Sequence, residues 1–198
     1  MTAWLRRNAR WLLALAVAGL LAAALAGYQV RSMWWLNGLH HQFSSVPAGT
    51  FATLAEDFRD GQGDTSRSVQ VSLVDVTPST GGPDGSLTLR GTDAYAVRLD
   101  FRAAPDQELR PCKVALIGAD GQRYDVPMQP ASPCLPQDHP GPEASIVQGQ
   151  PRGVVTPGEE RPASWQVAPI VVTDEGARPV AVRVWFSFPR YVELRLPS

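Results

Sequence analysis

The side chains that could do chemistry in this chain are few, and their spacing restricts what they can do. His40 and His41 are adjacent. On a helix neighbouring residues point about 100° apart, so the pair is poorly placed to chelate one metal and reads as an interfacial polar pair. Asp57, Asp60 and Asp64 in DFRDGQGD look faintly like a calcium loop. The EF-hand pattern needs ligands at positions 1, 3 and 5 and a glutamate at 12, so a solvated acidic loop is expected instead. The third histidine, His139, lies between Asp138 and Pro140 in a proline-rich stretch. There is no GxSxG elbow, dinucleotide fingerprint or phosphate loop. No catalytic, cofactor-binding or metal-ligating residue is therefore assigned. Dispersed carboxylates of a hydrolase are the alternative, since their separation in space decides such sites.

Cys112 and Cys134 are the two cysteines. In an exported domain two cysteines read naturally as one disulfide. Zinc would want four ligands, and a redox pair would usually be CxxC. Trp165 and Trp185 both fall in predicted strands. Trp165 is expected in the core, whereas Trp185 lies on the face opposite Val184 and Phe186. With Arg183 it forms a candidate contact patch.

These residues need elements to hold them, and the compartment comes first. Residues 11–30, WLLALAVAGLLAAALAGYQV, carry no charge and follow Arg6, Arg7 and Arg10 in a basic tail, 1–10. Twenty helical residues span about 30 Å, the hydrocarbon thickness of a bilayer. The basic side is expected to stay cytoplasmic. Trp4 and Trp11 at the N-terminal end of the run, and Tyr28, Trp34 and Trp35 at its far end, match two interfacial belts. The small-residue site Ala24-Leu25-Ala26 also fits a secretory signal cleaved after Ala26. Cleavage would leave three aromatic residues near a free N-terminus, which favours a single-pass anchor. Gly19, Ala23 and Gly27 recur every fourth residue and form a candidate helix-association face.

The formal net charge is −1, and the first thirty residues carry +3, leaving −4 outside. That balance argues against a nucleic-acid partner. The expected partners are the lipid bilayer and an envelope protein, or a second copy through the helix. Eighteen prolines and seventeen glycines suit a loop-rich β domain.

Residues 31–66 read as a juxtamembrane segment and linker with a candidate first strand at 50–54, followed by a polar loop at 55–67. From 67 to 198 strands dominate. Val69, Val71 and Leu73 alternate with polar residues, and a slip at Val74 suggests a bulge. Tyr95, Val97, Leu99 and Phe101 give the clearest period-two signal. Asp120-Gly121 between two apolar runs marks a hairpin. Further strands are expected at 87–89, 163–167, 180–188 and 192–196, with a short edge strand at Val154-Val155. Residues 127–151 are a long proline-rich loop pinned by Cys134. The result is an all-β, immunoglobulin-like β-sandwich of about eight strands behind one transmembrane helix.

The runs Tyr95–Phe101, KVALIGADGQRYDV, VVTPGEERPASWQVAP and PVAVRVWFSF resemble immunoglobulin-like domains of unknown function in bacterial membrane-anchored proteins and lipoproteins. There a Pro-Gly-Glu turn precedes an aromatic strand ending in Val-x-Pro. Here these are Pro157-Gly158-Glu159, Trp165 and Val167-Ala168-Pro169. The whole chain is also similar to short single-pass proteins of actinobacteria. The resemblance implies an extracytoplasmic module and transfers no catalytic residue. The chain departs from it in lacking a lipobox cysteine and in carrying the long proline-rich loop.

Overall fold

The computed structural model describes residues 2–36, 39, 41–60, 63–81, 90–126, 132–139, 141–142 and 160–197. The chain forms two compact units, Met1–His40 and His41–Ser198.

The first unit is helical. Helix α1, Thr2–Gln29, is continued by a π-helical segment, Val30–Leu36. The apolar span is longer than 11–30, covering Arg7–Trp35, and is long and apolar enough to cross a membrane. Gly19 and Gly27 have no atom within 4 Å of an added Cβ, so the small-residue face is open. In the wider π turn the rings of Trp34 and Trp35 sit 5.9 Å apart.

The second unit is a two-sheet sandwich of ten strands: β1 His41–Pro47, β2 Ala52–Asp60, β3 Gly63–Pro78, β4 Thr92–Arg102, β5 Lys113–Gly118, β6 Arg123–Asp125, β7 Ser164–Val167, β8 Ile170–Asp174, β9 Pro179–Trp185 and β10 Arg190–Arg195. One sheet runs β1-β10-β9-β5-β6. The other runs β2-β3-β4-β7, with β8 also pairing β4. The inner faces meet in one core containing Leu54, Val69, Leu99, Phe101, Leu116, Val184 and Leu194, among others.

Period-two patterning explains most of these strands. Between Val97 and Arg102 buried and outward residues alternate. The register of β3 against β4 shifts between Leu73 and Asp75, the bulge expected at Val74. The Asp120-Gly121 hairpin forms as read. Gly121 takes φ +83°, which glycine adopts without steric cost, and Asp120 Oδ1 accepts the Gln122 N–H at 3.0 Å.

The sequence reading needs correcting in three places. The expected strand at 50–54 is the start of a longer one, and the linker before it and the polar loop at 55–67 give way to strands: β1 lies parallel to β10, and β2 pairs β3 from Ala52–Val71 to Asp60–Gly63. Asp57 and Asp64 thus sit on a hairpin, and the exposed Arg59 lies 3.7 Å from Asp64. A strand at 170–174 was not expected. β7 and β8 together form one partner for β4, broken at Ala168-Pro169, where the Val97 N–H reaches the Pro169 carbonyl at 2.9 Å. Proline has no N–H to give the ladder, so the strand splits there. The strand expected at 180–188 stops at Trp185. His40, the expected strand at 87–89 and the Val154-Val155 strand fall outside the described residues.

Cys112 and Cys134 form the disulfide, with Cα atoms 5.9 Å apart. It closes a loop of about 23 residues, which in the chain-entropy account stabilises the fold by about 3 kcal/mol. Replacing both cysteines by serine in the full-length, detergent-solubilised protein should lower the unfolding free energy in urea by about that amount. Reductant should then have no further effect on the variant.

Candidate functional site

At one end of the sandwich the inward positions change from apolar to charged. Leu54 faces Val69 across the β2–β3 ladder, and the next inward pair is Glu56 opposite Arg67. Both side chains are almost wholly buried, with Arg67 Nε 2.9 Å from Glu56 Oε1. The Ser187 hydroxyl donates to Glu56 Oε1 at 3.2 Å and accepts from Arg67 Nη2 at 3.4 Å. The guanidinium lies over the Phe58 ring at 3.9 Å and 5.1 Å from the centroid of Phe186. Such stacking suits Arg, whose planar, weakly hydrated charge tolerates burial better than an ammonium.

Burial pushes the Glu56 carboxyl above its ordinary value, outweighing the opposing pull of Arg67, Ser187 and Arg190, and it lowers the Arg67 guanidinium. A carboxyl raised on folding binds its proton more tightly in the folded state. Its linkage contribution is therefore greatest below the ordinary value of 4.5 and declines as pH rises through the folded value. Between pH 4 and 7 the stability of wild type should fall relative to Glu56→Gln as pH rises. A flat difference across urea melts at successive pH values would contradict this.

A cleft of about 400 Å³ opens beside the pair. Phe58, Thr65 and Ser66 of the β2–β3 hairpin form one wall, and Ala104, Asp106, Gln107 and Glu108 after β4 form the other. A second buried arginine holds the latter wall. Arg161 is 1 % exposed and donates Nη2 to the carbonyls of Ala104 and Gln107, the latter at 2.9 Å. Its guanidinium stacks over Trp165 at 4.8 Å. Trp165 in turn stacks on Phe101 at 5.6 Å and donates Nε1 to the Cys134 carbonyl at 2.7 Å. Gly141, at φ +77°, packs against Arg161 so closely that a Cβ would come within 2.8 Å of the Arg161 Cβ. Burial lowers the Arg161 guanidinium to about 10, which leaves it charged at neutral pH. The Gln107 amide bridges the walls through the Ser66 carbonyl at 3.4 Å.

The residues singled out in the sequence fare differently. Cys112 and Cys134 anchor the framework around Trp165, which lies in the core as expected. Trp185 does lie on the face away from the core but is only 2 % exposed. Its ring lies 6.2 Å from Phe188 and beneath Arg123, whose guanidinium is 5.8 Å away. Arg183 stacks on Tyr191 and pairs with Glu193 at 3.0 Å. Trp185 and Arg183 are thus occupied within the domain, and the expected contact patch is corrected on that ground. His139 is exposed, and among the described residues no group of three or more His, Cys, Asp or Glu is placed to hold a metal ion.

The sequence reading did not single out Glu56, Phe58, Arg67, Asp106, Glu108 or Arg161. The available signal was the period of two, which carries from Ala52 and Leu54 onto Glu56 and Phe58. The hydrolase alternative needs a pocket that holds two carboxyl groups at hydrolase separation, one of them raised; Asp106 and Glu108 both line the cleft. The raised carboxyl, Glu56, lies behind Phe58 on Arg67 and does not line the cleft.

No protein-family model matches the chain, and no curated protein is similar to it at a significant level. Among solved structures, the crystal structure of MPT63, a secreted protein from Mycobacterium tuberculosis, is similar with 19 % identity over 75 % of this chain and 95 % of that one, at a TM-score of 0.37.

Proposed function

We propose that this protein is a membrane-anchored extracytoplasmic binding module that acts by contact in the cell envelope rather than by catalysis. The observation that carries the reading is a preformed cleft, each wall held by a buried arginine, on a sandwich that follows a membrane-length helix. Preorganised walls suit binding, because little ordering remains to oppose association. Arg6, Arg7 and Arg10 cluster at the N-terminal end of the apolar stretch, which supports a cytoplasmic N-terminus with His41–Ser198 outside. Gly19, Ala23 and Gly27 supply a face for association with a second helix.

The test combines an N-terminal tag, a periplasmic-type reporter fused after Ser198 and extraction of membranes at alkaline pH. An anchored module keeps the tag, activates the reporter and stays in the pellet. Loss of the tag with release of the domain would instead establish the second reading, a secreted domain cleaved after Ala26.

A further inference from the structure

Resting on the membrane-anchored part of that reading, we infer that the rim of the sandwich around Phe188, Lys113 and Arg190 is a lipid-contact surface, which seats on anionic phospholipid headgroups of the membrane that holds the chain's own helix.

Connectivity brings this rim to the membrane. The helical segment ends at Leu36 and β1 opens at His41, so four residues separate them. A chain spans at most about 3.6 Å per residue, so the first strand opens within about 18 Å of the end of that segment. β1 runs parallel to β10 with His41 opposite Arg190. β9, which pairs β10, ends at Trp185 opposite Lys113. The chain therefore enters the sandwich at the rim that carries Lys113, the turn 186–189 and Arg190.

The chemistry of the rim suits an interface. Among the described residues of the second unit, the exposed large apolar side chains are Val74, Val180 and Phe188, and Phe188 is the aromatic one. Phe is among the residues that interfacial segments bury at the headgroup boundary, with Lys and Arg beside it. Lys113 Nζ lies 5.5 Å from the Phe188 ring centroid, and Arg190 is exposed. Among the described residues neither cation forms a salt bridge. Arg190 acts on Glu56, but that carboxyl is already paired with Arg67 at 2.9 Å, which leaves the Arg190 charge over. The exposed acids of this end, Asp57, Asp64 and Asp106, belong to the β2–β3 hairpin and the segment after β4, in the other layer. Packed sheets lie about 10 Å apart, which is about one Debye length at 0.1 M salt. The layer that β1 enters thus offers the membrane positive charge and a ring. Two cations and one ring make a weak contact in free solution. On a tethered domain they suffice, because the tether makes docking intramolecular.

Full-length protein is placed in lipid nanodiscs of phosphatidylcholine, alone or mixed with phosphatidylglycerol, that carry a headgroup spin label. Paramagnetic broadening is read at the amides around Lys113 and Phe188 and, for the far end, in the Asp120-Gly121 turn. In the mixed discs the rim should broaden at least about threefold more than the turn, and added salt should shrink the difference. Lys113→Gln and Arg190→Gln should each lower the rim signal in mixed discs at least about twofold. Phe188→Ser should lower it in both lipids, with a urea midpoint close to wild type. Should Phe188→Ser disturb folding, the two charge variants and the salt dependence carry the test. Equal broadening at both ends, or rim broadening indifferent to charge, salt and lipid, overturns the inference. An N-terminal tag followed in cells separates the two levels of failure. A retained anchor with no rim contact keeps the anchored reading and overturns the lipid surface. Processing after Ala26 removes the tether and overturns both.

Discussion

Arg67→Met should lower the stability of the full-length protein by about 3–5 kcal/mol, the usual consequence of stripping one partner from a buried ion pair. The substitution leaves the Glu56 carboxylate, still accepting from the Ser187 hydroxyl, with its principal counter-ion gone. It also removes the cation stacked on Phe58 at 3.9 Å. The double variant Glu56→Leu/Arg67→Met should recover most of the loss, because well-packed apolar replacements of a buried pair are often neutral or stabilising. The coupling energy from the four urea melts then measures the pair itself. If the double variant is as unstable as the single one, the cost lies in packing and not in an orphaned charge. The same comparison bears on function. A pair that apolar side chains could replace without loss does not exist for stability alone, and its position behind Phe58 makes the cleft wall the natural beneficiary.

That pair also explains why the cleft was hard to see in the sequence. Strands whose inward positions are uniformly apolar were legible: Val97, Leu99 and Phe101 in β4, and Val182 and Val184 in β9, show the period of two directly. The Asp-Gly hairpin and the cysteine pair were legible because each rests on local chemistry. The β2–β3 hairpin was not, because charged residues take the inward positions beyond Leu54 and Val69. A strand with Glu56 and Arg67 facing inward has the hydropathy of a solvated loop, and AEDFRDGQGDTSR was read as one. β8 was missed for another reason, since Pro169 interrupts the pattern and the buried Thr173 weakens it. For Trp185 the face was read correctly and the exposure was not. Alternation assigns a side of the sheet but cannot foresee that Arg123 and Phe188 will close over the ring. Arg161 lay furthest from sequence reach, because its partners are backbone carbonyls more than fifty residues away.

Arg161→Ala should be the other severe substitution, again costing about 3–5 kcal/mol, since two carbonyls would lose a charged donor at about 1.5–3 kcal/mol each. The residue joins three parts of the domain. Its Nη2 holds the carbonyls of Ala104 and Gln107, its plane covers Trp165, and its Cβ packs on Gly141. Arg161→Lys should recover little, because one ammonium cannot both cover the indole plane and bridge the two carbonyls. Gly141→Ala should reproduce part of the defect from the opposite side, since its Cβ would lie 2.8 Å from the Arg161 Cβ at a φ of +77°. Hydrogen exchange localises the effect. In Arg161→Ala the amides of 104–109 should exchange faster than in wild type under conditions where the β4 ladder stays protected. Uniform acceleration across the domain would mean that Arg161 supports the whole fold, with no particular claim on the cleft wall. Local loosening would make it a positioning residue for Asp106 and Gln107, the part of the cleft that no strand holds.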